Sequence, residues 1–372
     1  MRKLTFLILV TLFAAYAGWA ERRPVGHYLS DLRSQVVLNQ GAPSERGNLL
    51  GVQPELYAPD YQNVERLRLK LAAYLEKARS EGLLGPRTVV VFPEHIGTWL
   101  VAAGEKPEVY QARHLAEAMQ WMAVSNPVKL ARGWLIAKGR DRFTDALFRM
   151  KAVDMAHDYQ TLFGGLARQF GVTLVAGSIV LPNPKVEDGV LVTGNGSLYN
   201  ASLVFGSDGR PLGQPQRKVF PIDDEKPFIR AGHSDNLQVL DTPAGRLGVL
   251  ICADSWYPIN YAVLASEKVE LLAVPAFLTG NGQWQQPWRG YNGARTPSDV
   301  QLKPGELSEG QAWQQLALGG RLAASGAQAG IAVFLRGQLW DLGSSGPGLV
   351  VDRGGQQLAE DGPGARLINL WL

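Results

Sequence analysis

The sequence predicts an α/β protein, and three observations favour this class. A β-branched run at Thr88–Phe92 is typical of a buried strand. The preceding segment, 61–82, repeats its leucines every four residues from Leu67 to Leu75, which predicts an amphipathic helix with one face against a sheet. Residues 48–52 predict a strand before that helix, and the order strand, helix, strand indicates an α/β layer.

Downstream segments continue this alternation. A helix is predicted to run through 162–170 into a strand at 171–178, and the pair Asp208-Gly209 provides the positive φ that a tight hairpin turn needs. The further predicted elements are strands at 198–205, 271–276, 331–335 and 348–352 and a helix at 257–266. With 46% hydrophobic and 19% charged residues, the composition is that of a compact globular chain.

The N-terminal segment 1–20 has a basic head followed by an uncharged apolar run, residues 4–20. This pattern is typical of a signal peptide, yet the run is also close to the length needed to cross a bilayer. We therefore expect export, with a periplasmic, extracellular or membrane-anchored location. Residues 21–46 are polar and irregular and are predicted to be a linker, so the folded domain is expected to occupy 47–372.

Residues 100–158 are expected to form a helical insertion. Three segments rich in Ala, Leu, Met and aromatic residues predict its helices, at 111–125, 128–138 and 144–159. Basic residues are interspersed among them. Three interpretations remain open: a lid over a pocket, an amphipathic face on a membrane surface, or a helical hairpin packed on the body.

The single cysteine, Cys252, ends an apolar run that predicts a buried strand. A thiol with a pKa near 8.5 is mostly protonated at neutral pH, so a catalytic cysteine needs a base or a cation beside it. Two candidates lie upstream. Glu94 follows the β-branched run and a proline, and Lys218 follows a turn-rich stretch.

These residues and their neighbours resemble the nitrilase superfamily of carbon–nitrogen hydrolases. The resemblance lies in Phe92-Pro93-Glu94, in Arg217-Lys218 and in Ile251-Cys252-Ala253-Asp254, and it covers about 48–372 without the helical insertion. The family has a second glutamate shortly after the lysine. Glu225 stands at that place, although Asp223 and Asp224 could be the matching carboxylate under a one-residue shift.

The resemblance implies an α-β-β-α sandwich that assembles as a homo-oligomer, most simply a homodimer. It implies a hydrolase for amides, or nitriles, in which Cys252 forms a thioester, Glu94 transfers protons, Lys218 stabilises the oxyanion and Glu225 supports Lys218. Two alternatives share the fold: an N-acyltransferase that passes the acyl group to an amine, and a membrane-tethered binding protein without turnover. The chain departs from the family at Ala253, where an aromatic residue is frequent.

The expected substrate is a small-molecule amide or nitrile. Trp256 and Tyr257 are candidate substrate-binding residues, because aromatic side chains beside Cys252 suit an apolar group. No cofactor is expected, and His95 and His233 lack metal-ligand spacing. A net charge of +3 does not indicate nucleic acid, and membrane association is expected only through residues 4–20.

Overall fold

The structure is a computed structural model that describes residues 2–23 and 28–372, so residues 24–27 of the expected linker lie outside the described residues. The helices are α1 (Arg2–Glu21), α2 (Val64–Ser80), α3 (Pro107–Gln111), α4 (Leu115–Ser125), α5 (Pro127–Ile136), α6 (Arg142–Phe170), α7 (Pro258–Ser266), α8 (Glu309–Leu316) and α9 (Leu318–Arg321). The strands of the first half are β1 (Ser34–Gln40), β2 (Asn48–Gln53), β3 (Glu55–Tyr57), β4 (Thr88–Val91), β5 (Thr173–Val175), β6 (Ile179–Pro182), β7 (Lys185–Glu187), β8 (Val190–Val192), β9 (Leu198–Phe205) and β10 (Pro211–Arg217). Those of the second half are β11 (Val239–Thr242), β12 (Gly245–Val249), β13 (Leu271–Ala276), β14 (Ala329–Phe334), β15 (Arg336–Gln338), β16 (Leu349–Asp352), β17 (Gly355–Leu358) and β18 (Ala365–Trp371).

Two large sheets organise the molecule. The first has the order β1-β18-β2-β4-β5-β9-β10, with β6 paired to β9, and the second has the order β11-β12-β13-β14-β16-β17. In the first sheet β2, β4 and β5 run parallel, and in the second β12, β13 and β14 run parallel. Such strands need crossover connections, which contain helices α2, α6 and α7 and, between β13 and β14, α8 and α9.

The burial of alternate residues shows how the sheets stack. In β4, Val89 and Val91 belong to an apolar cluster shared with residues of the second sheet, whereas Val90 belongs to a cluster with α2 and α6. In β13, Leu271 joins the inter-sheet cluster and Leu272 joins the cluster with α7, α8 and α9. Because strand side chains alternate between faces, each sheet has one face on the other sheet and one on helices. The predicted α-β-β-α sandwich is confirmed.

The expected linker contains a strand. Ser34–Gln40 pairs in parallel with β18 and forms the edge of the first sheet, so the prediction of an irregular segment for 21–46 has to be corrected there. Its sequence, SQVVLNQ, is too short and too polar to stand out in isolation, and all seven residues are partly or fully exposed to solvent. The pairing depends on β18, which the sequence pattern does not place beside it.

The insertion is helical, as expected, and consists of α3, α4, α5 and the first part of α6. The two helical segments predicted at 144–159 and 162–170 form one continuous helix, which Asp141 caps by accepting a hydrogen bond from the Thr144 N–H at 3.0 Å. Among the described residues, α1 is the one helix whose length and apolar composition would allow it to cross a membrane, a property that signal sequences share.

Candidate active site

The candidate residues are delivered by the ends of strands in both sheets. Glu94 follows β4 and Lys218 follows β10 in the first sheet, whereas Cys252 follows β12 in the second. The loop after β4 is held tightly: the His95 N–H donates to Ser178 Oγ at 2.9 Å. Gly177 has φ +66°, and a Cβ there would lie 2.0 Å from the Pro93 carbonyl oxygen. A larger residue would therefore displace the segment that carries Glu94.

Lys218 lies between two buried carboxylates. Its Nζ donates to Glu94 Oε1 at 2.8 Å and to Glu225 Oε2 at 2.6 Å. All three side chains are almost completely buried. Burial alone disfavours the ammonium, but Glu225 and Glu94 outweigh it and raise the pKa of Lys218 well above its usual value. Lys218 is therefore a fixed cation at physiological pH.

Glu225, and not a neighbouring aspartate, pairs with Lys218. Burial would raise its pKa, but the charge of Lys218 and hydrogen bonds from His95 and Lys218 hold that pKa well below the usual range. Asp223 forms an exposed pair with Lys226 at 3.0 Å, and Asp224 lines the neighbouring cavity. The carboxylate that the resemblance placed at 225 thus lies where a partner for the lysine is needed.

Asn200 and His95 complete the buried polar cluster. Asn200 Nδ2 lies 2.9 Å from both Glu94 Oε1 and Glu225 Oε1, so one amide group binds both carboxylates. His95 Nε2 lies 3.5 Å from Glu225 Oε1, and its Nδ1 lies 2.9 Å from Thr98 Oγ1. The backbone of His95 is left-handed, with φ +61°. Such a conformation is uncommon outside glycine and indicates a position fixed by its surroundings.

Cys252 presents its thiol beside this cluster from a strained backbone. Its φ is +49°, and its Sγ contacts the Phe277 carbonyl oxygen at 3.9 Å. Burial, and next the negative charge of Glu94 in hydrogen-bonding contact, raise the pKa of the thiol well above its usual value, although Lys218 opposes them. The resting group is a thiol in contact with the Glu94 carboxylate, an arrangement in which a proton can pass from sulfur to that carboxylate.

Asp254 joins the lysine segment to the cysteine segment. One carboxylate oxygen accepts the backbone N–H groups of Val219 at 2.9 Å and of Phe220 at 2.7 Å, and the other accepts that of Ile251 at 3.3 Å. Burial raises the pKa of Asp254 to about 7, against the lowering effect of these donors. Because it binds residues next to both Lys218 and Cys252, Asp254 fixes the two groups relative to each other.

The cluster forms the polar end of a cavity of about 570 Å³. Trp256 and Tyr257, the predicted substrate-binding residues, line it, but both also pack within an aromatic group. A further, mostly apolar wall comes from the helical insertion, for which a lid over a pocket was one of the three open interpretations. It consists of Leu115, Met119 and Met122 from α4 and Thr144, Leu147 and Phe148 from α6.

Three possible metal ligands also meet in this cluster. Oxygen or nitrogen atoms of Glu94, His95 and Glu225 lie within 4.8 Å of one another. Since ligand spacing in the sequence gave no reason to include His95, this convergence was not expected. The Lys218 ammonium already bridges the two carboxylates and supplies the positive charge that an ion would bring. The charge of the two carboxylates is therefore balanced in part by the lysine, without an ion.

Four of the residues that meet in the structure were predicted from the sequence, namely Glu94, Lys218, Glu225 and Cys252, whereas Asn200 and His95 were not. Asn200 lies within β9, where the sequence shows only the triplet of a glycosylation acceptor, and its side chain is fully buried. His95 adjoins Glu94, and that adjacency was the one available signal.

Comparison with known protein families and sequences gave consistent matches. A family model described as carbon–nitrogen hydrolase matches residues 52–295. Nitrilase 2 of Arabidopsis thaliana is 29% identical over 124 residues, which are 30% of this chain and 36% of that protein. The deaminated glutathione amidase of Yersinia enterocolitica is 30% identical over 130 residues, 32% of this chain and 43% of that protein. The chain thus matches less than half the length of each of these relatives.

Solved structures with the same architecture cover most of the chain. An amidase from Nesterenkonia sp. AN1 superposes with a TM-score of 0.51 and 14% identity over 88% of this chain and 93% of that one. Nit3 of Saccharomyces cerevisiae, a member of branch 10 of the nitrilase superfamily, gives a TM-score of 0.50 and 18% identity over 87% of this chain and 89% of that one. At these identities the likeness shows the fold.

Proposed function

Because the chain belongs to the carbon–nitrogen hydrolase family, we propose that it hydrolyses a non-peptide carbon–nitrogen bond, that of an amide or a nitrile, through a thioester on Cys252. One observation carries the proposal. Glu94, Lys218 and Cys252 come from three distant segments and both sheets, yet they meet as base, cation and thiol at the polar end of one apolar cavity. A binding protein without turnover would not need this buried and electrostatically costly arrangement.

The first step is attack by sulfur on the substrate carbon. Glu94 accepts the thiol proton as the bond between Sγ and the amide carbonyl carbon forms, and the carbonyl oxygen becomes an oxyanion. The Lys218 ammonium and the backbone N–H of Ala253 stabilise that oxyanion. Ala253 lies in the first turn of a short 3-10 helix at Cys252–Trp256, where N–H groups lack an intrahelical acceptor. A single such donor contributes about 3 to 4 kcal/mol to barrier lowering.

The second half of the cycle reverses these proton transfers. Glu94 gives its proton to the leaving nitrogen, the carbon–nitrogen bond breaks, and an amine or ammonia departs while the acyl group stays on Cys252 as a thioester. Glu94 then removes a proton from water as the water oxygen attacks the thioester carbon. Collapse of this second adduct releases the acid and returns the proton to the thiol.

Glu225 and Asn200 are proposed to position this machinery without touching the reacting atoms. Glu225 keeps Lys218 protonated and balances its charge once Glu94 becomes neutral in the cycle. Asn200 bridges the two carboxylates and fixes their positions through hydrogen bonds from its amide group. For Trp256 and Tyr257 we propose contact with the apolar part of the substrate, supported by their place in the cavity wall.

The proposal is tested by offering the full chain a panel of amides and nitriles and following the release of ammonia or amine and of acid. The expected result is turnover that Cys252→Ala abolishes, together with an acyl adduct on the cysteine-containing peptide by mass spectrometry. Turnover that survives in Cys252→Ala would refute the mechanism. If product forms only when a primary amine is added, the enzyme is an N-acyltransferase that uses the same thioester.

For location and assembly we propose export, with the apolar helix α1 as a signal or anchor, and association into a homo-oligomer. The apolar composition of α1 supports the first proposal. Sequencing of the mature N-terminus and fractionation of membranes test it, and a protein in the soluble cytosolic fraction that still begins at Met1 would contradict it. Sedimentation analysis tests the oligomer.

A further inference from the structure

The C-terminal end of α1 is attached to the helical insertion by specific contacts. The Arg23 guanidinium donates to the Ser125 carbonyl oxygen and to Asn126 Oδ1, both at 3.1 Å. Lys106 Nζ donates to the carbonyl oxygens of Trp19 and Arg22, the latter at 2.6 Å, and thereby satisfies the end of α1. The end of α1 is therefore fixed at the junction between α4 and α5.

The rest of α1 stands away from the domain. Leucine, isoleucine, valine and phenylalanine side chains between residues 4 and 13 are exposed on every side of the helix, and Ala20 is the buried residue within α1. A helix that is apolar all round and uncovered by protein is typical of a membrane span. Aromatic side chains lie at its attached end. The ring centroids of Trp19 and Trp121 are 6.4 Å apart, and the Lys106 ammonium lies 4.2 Å from the Trp19 ring centroid. Aromatic and basic residues mark the interface between bilayer and water.

Helix α5 begins at this junction and divides into three sectors. Leu130 and Gly133 face α6, and Gly133 packs so closely that a Cβ would lie 2.5 Å from the Ala146 carbonyl oxygen. A second sector is apolar but exposed and consists of Val128, Ala131, Trp134 and Leu135. The third carries Lys129 and Arg132 together with the exposed Ile136, and Lys129 lies 3.9 Å from Asp154. An exposed apolar sector beside a basic one is typical of a helix that lies in a membrane interface.

Helix α4 joins this surface to the active site. One side of α4 lines the cavity with Leu115, Met119 and Met122, whereas Trp121 and Val124 contact α1. An α-helix with its side chains is about 10 to 12 Å across. The apolar cavity is therefore separated from the anchor helix by the thickness of a single helix.

From this arrangement we infer that the enzyme acts on a bilayer-resident amide that carries an acyl chain. The inference rests on the proposed function and names its substrate class. Helix α1 holds the domain against the bilayer, the exposed apolar sector of α5 lies in the interface, and the acyl chain enters the cavity along α4 and α6. Its carbonyl carbon then reaches Cys252 Sγ. The bonds made and broken are those of the hydrolysis already proposed, with a long-chain acid and an amine or ammonia as products.

Membrane contact can be tested without activity. Cys252 is the single cysteine of the chain, so on a Cys252→Ser background the full-length variants Leu135→Cys and Leu69→Cys each carry one site for an environment-sensitive dye. Leu135 is 80% exposed on α5, and Leu69 is 55% exposed on α2 and serves as the matched control. In vesicles of phosphatidylethanolamine and phosphatidylglycerol, brominated lipids should quench the dye at 135 and not at 69. Equal quenching at both sites, or a dye at 135 that is already shielded without vesicles because a second copy covers it, would overturn the inference.

Substrate class is tested first with water-soluble primary amides of increasing acyl length in the absence of vesicles, so that each added methylene passes from water into the cavity. Catalytic efficiency, kcat/KM, should rise about fourfold for each added methylene until the cavity is filled, which is the value of burying one CH₂ group. Leu135→Glu should lower the turnover of vesicle-borne long-chain amides about tenfold or more, with short water-soluble amides unchanged. Leu69→Glu should change neither, and circular dichroism and thermal melting confirm that both variants are folded.

The two proposals fail in different ways. Turnover of short amides with a flat chain-length profile would overturn the acyl-chain substrate and leave the hydrolase proposal standing. A protein that hydrolyses no amide of any length would overturn the hydrolase proposal and this substrate class together, while the dye at 135 would still decide whether α5 touches the bilayer.

Discussion

Replacing Lys218 with methionine removes the cation between two buried carboxylates. At an effective dielectric constant of about 20, each contact, at 2.8 Å to Glu94 and at 2.6 Å to Glu225, corresponds to an attraction of about 6 kcal/mol. Much of this attraction offsets the cost of taking the three charges out of water. We therefore expect Lys218→Met to lower the free energy of unfolding by about 3 to 5 kcal/mol, the usual cost of breaking a buried ion pair from one side.

The direction in which the free energy of unfolding changes with pH shows whether the lost ion pair causes the destabilisation. In the wild-type chain the pKa of Glu225 is depressed, so its contribution to stability is present above the unfolded pKa and is lost as pH falls through the folded pKa. In Lys218→Met, burial without a cation raises the pKa of the Glu225 carboxyl above its unfolded value of about 4.3. Its contribution is then complete below that value and is lost as pH rises, so this variant should be less stable at about pH 8 than at about pH 5.

Urea unfolding followed by tryptophan fluorescence at both pH values measures the effect. The double variant Lys218→Met/Glu225→Gln should regain part of the stability at the higher pH, because one of the two unpaired charges is gone. Both variants should lack activity, since the oxyanion has lost its ammonium partner. The ion-pair argument would be refuted if Lys218→Met were as stable as the wild type at the higher pH. It would also be refuted if Lys218→Met/Glu225→Gln were no more stable there than Lys218→Met.

Three further variants probe the supports of the site. Asn200→Leu removes one donor from each of two buried carboxylates, of which Glu94 keeps its hydrogen bond from Lys218, and should lower the free energy of unfolding by about 1.5 to 3 kcal/mol in urea titrations; an unchanged midpoint would contradict this. The pKa of Asp254 is raised to about 7, so its contribution to stability is complete below an unfolded pKa of about 3.9 and is lost as pH rises through about 7. Asp254→Asn should flatten that pH dependence, and identical slopes for the two proteins would exclude Asp254 as its source. Gly177→Ala should lower both Tm and kcat, because a Cβ there meets the Pro93 carbonyl oxygen, whereas Gly171→Ala, at the same φ of +66° but with open space, should cost only about 1 to 2 kcal/mol of strain. An equal decrease in Tm in the two glycine variants would show that the close approach of residue 177 to the Pro93 carbonyl oxygen does not affect stability.

The sequence predicted those parts of the fold that depend on local periodicity. The run Thr88–Phe92 becomes a strand because β-branched residues suit both of its buried faces, and the proline after it ends the strand where Glu94 is needed. Cys252 and Lys218 were found because each stands in a short motif that also matches a known family. Signals of this kind survive in a single chain without any knowledge of tertiary contacts.

Features that arise only from long-range contact could not be predicted. Strand β1 is polar and irregular as a sequence and becomes a strand because β18 provides its hydrogen-bonding partner. Asn200 looks like any polar residue of a strand until the fold places Glu94 and Glu225 beside it. The contact between α4 and the cavity could not be predicted either, because an apolar helix can pack against a core, form a lid or lie on a lipid surface.

The position of β18 has a consequence for how this protein reaches its folded state. Residues 365–371 are inserted between the strands at 34–40 and 48–53. Until that late segment emerges from the ribosome or a translocation channel, the two early strands have open edges and no shared partner. The first sheet can therefore close only after residues 365–371 are available, and its exposed edges need protection from intermolecular pairing until then.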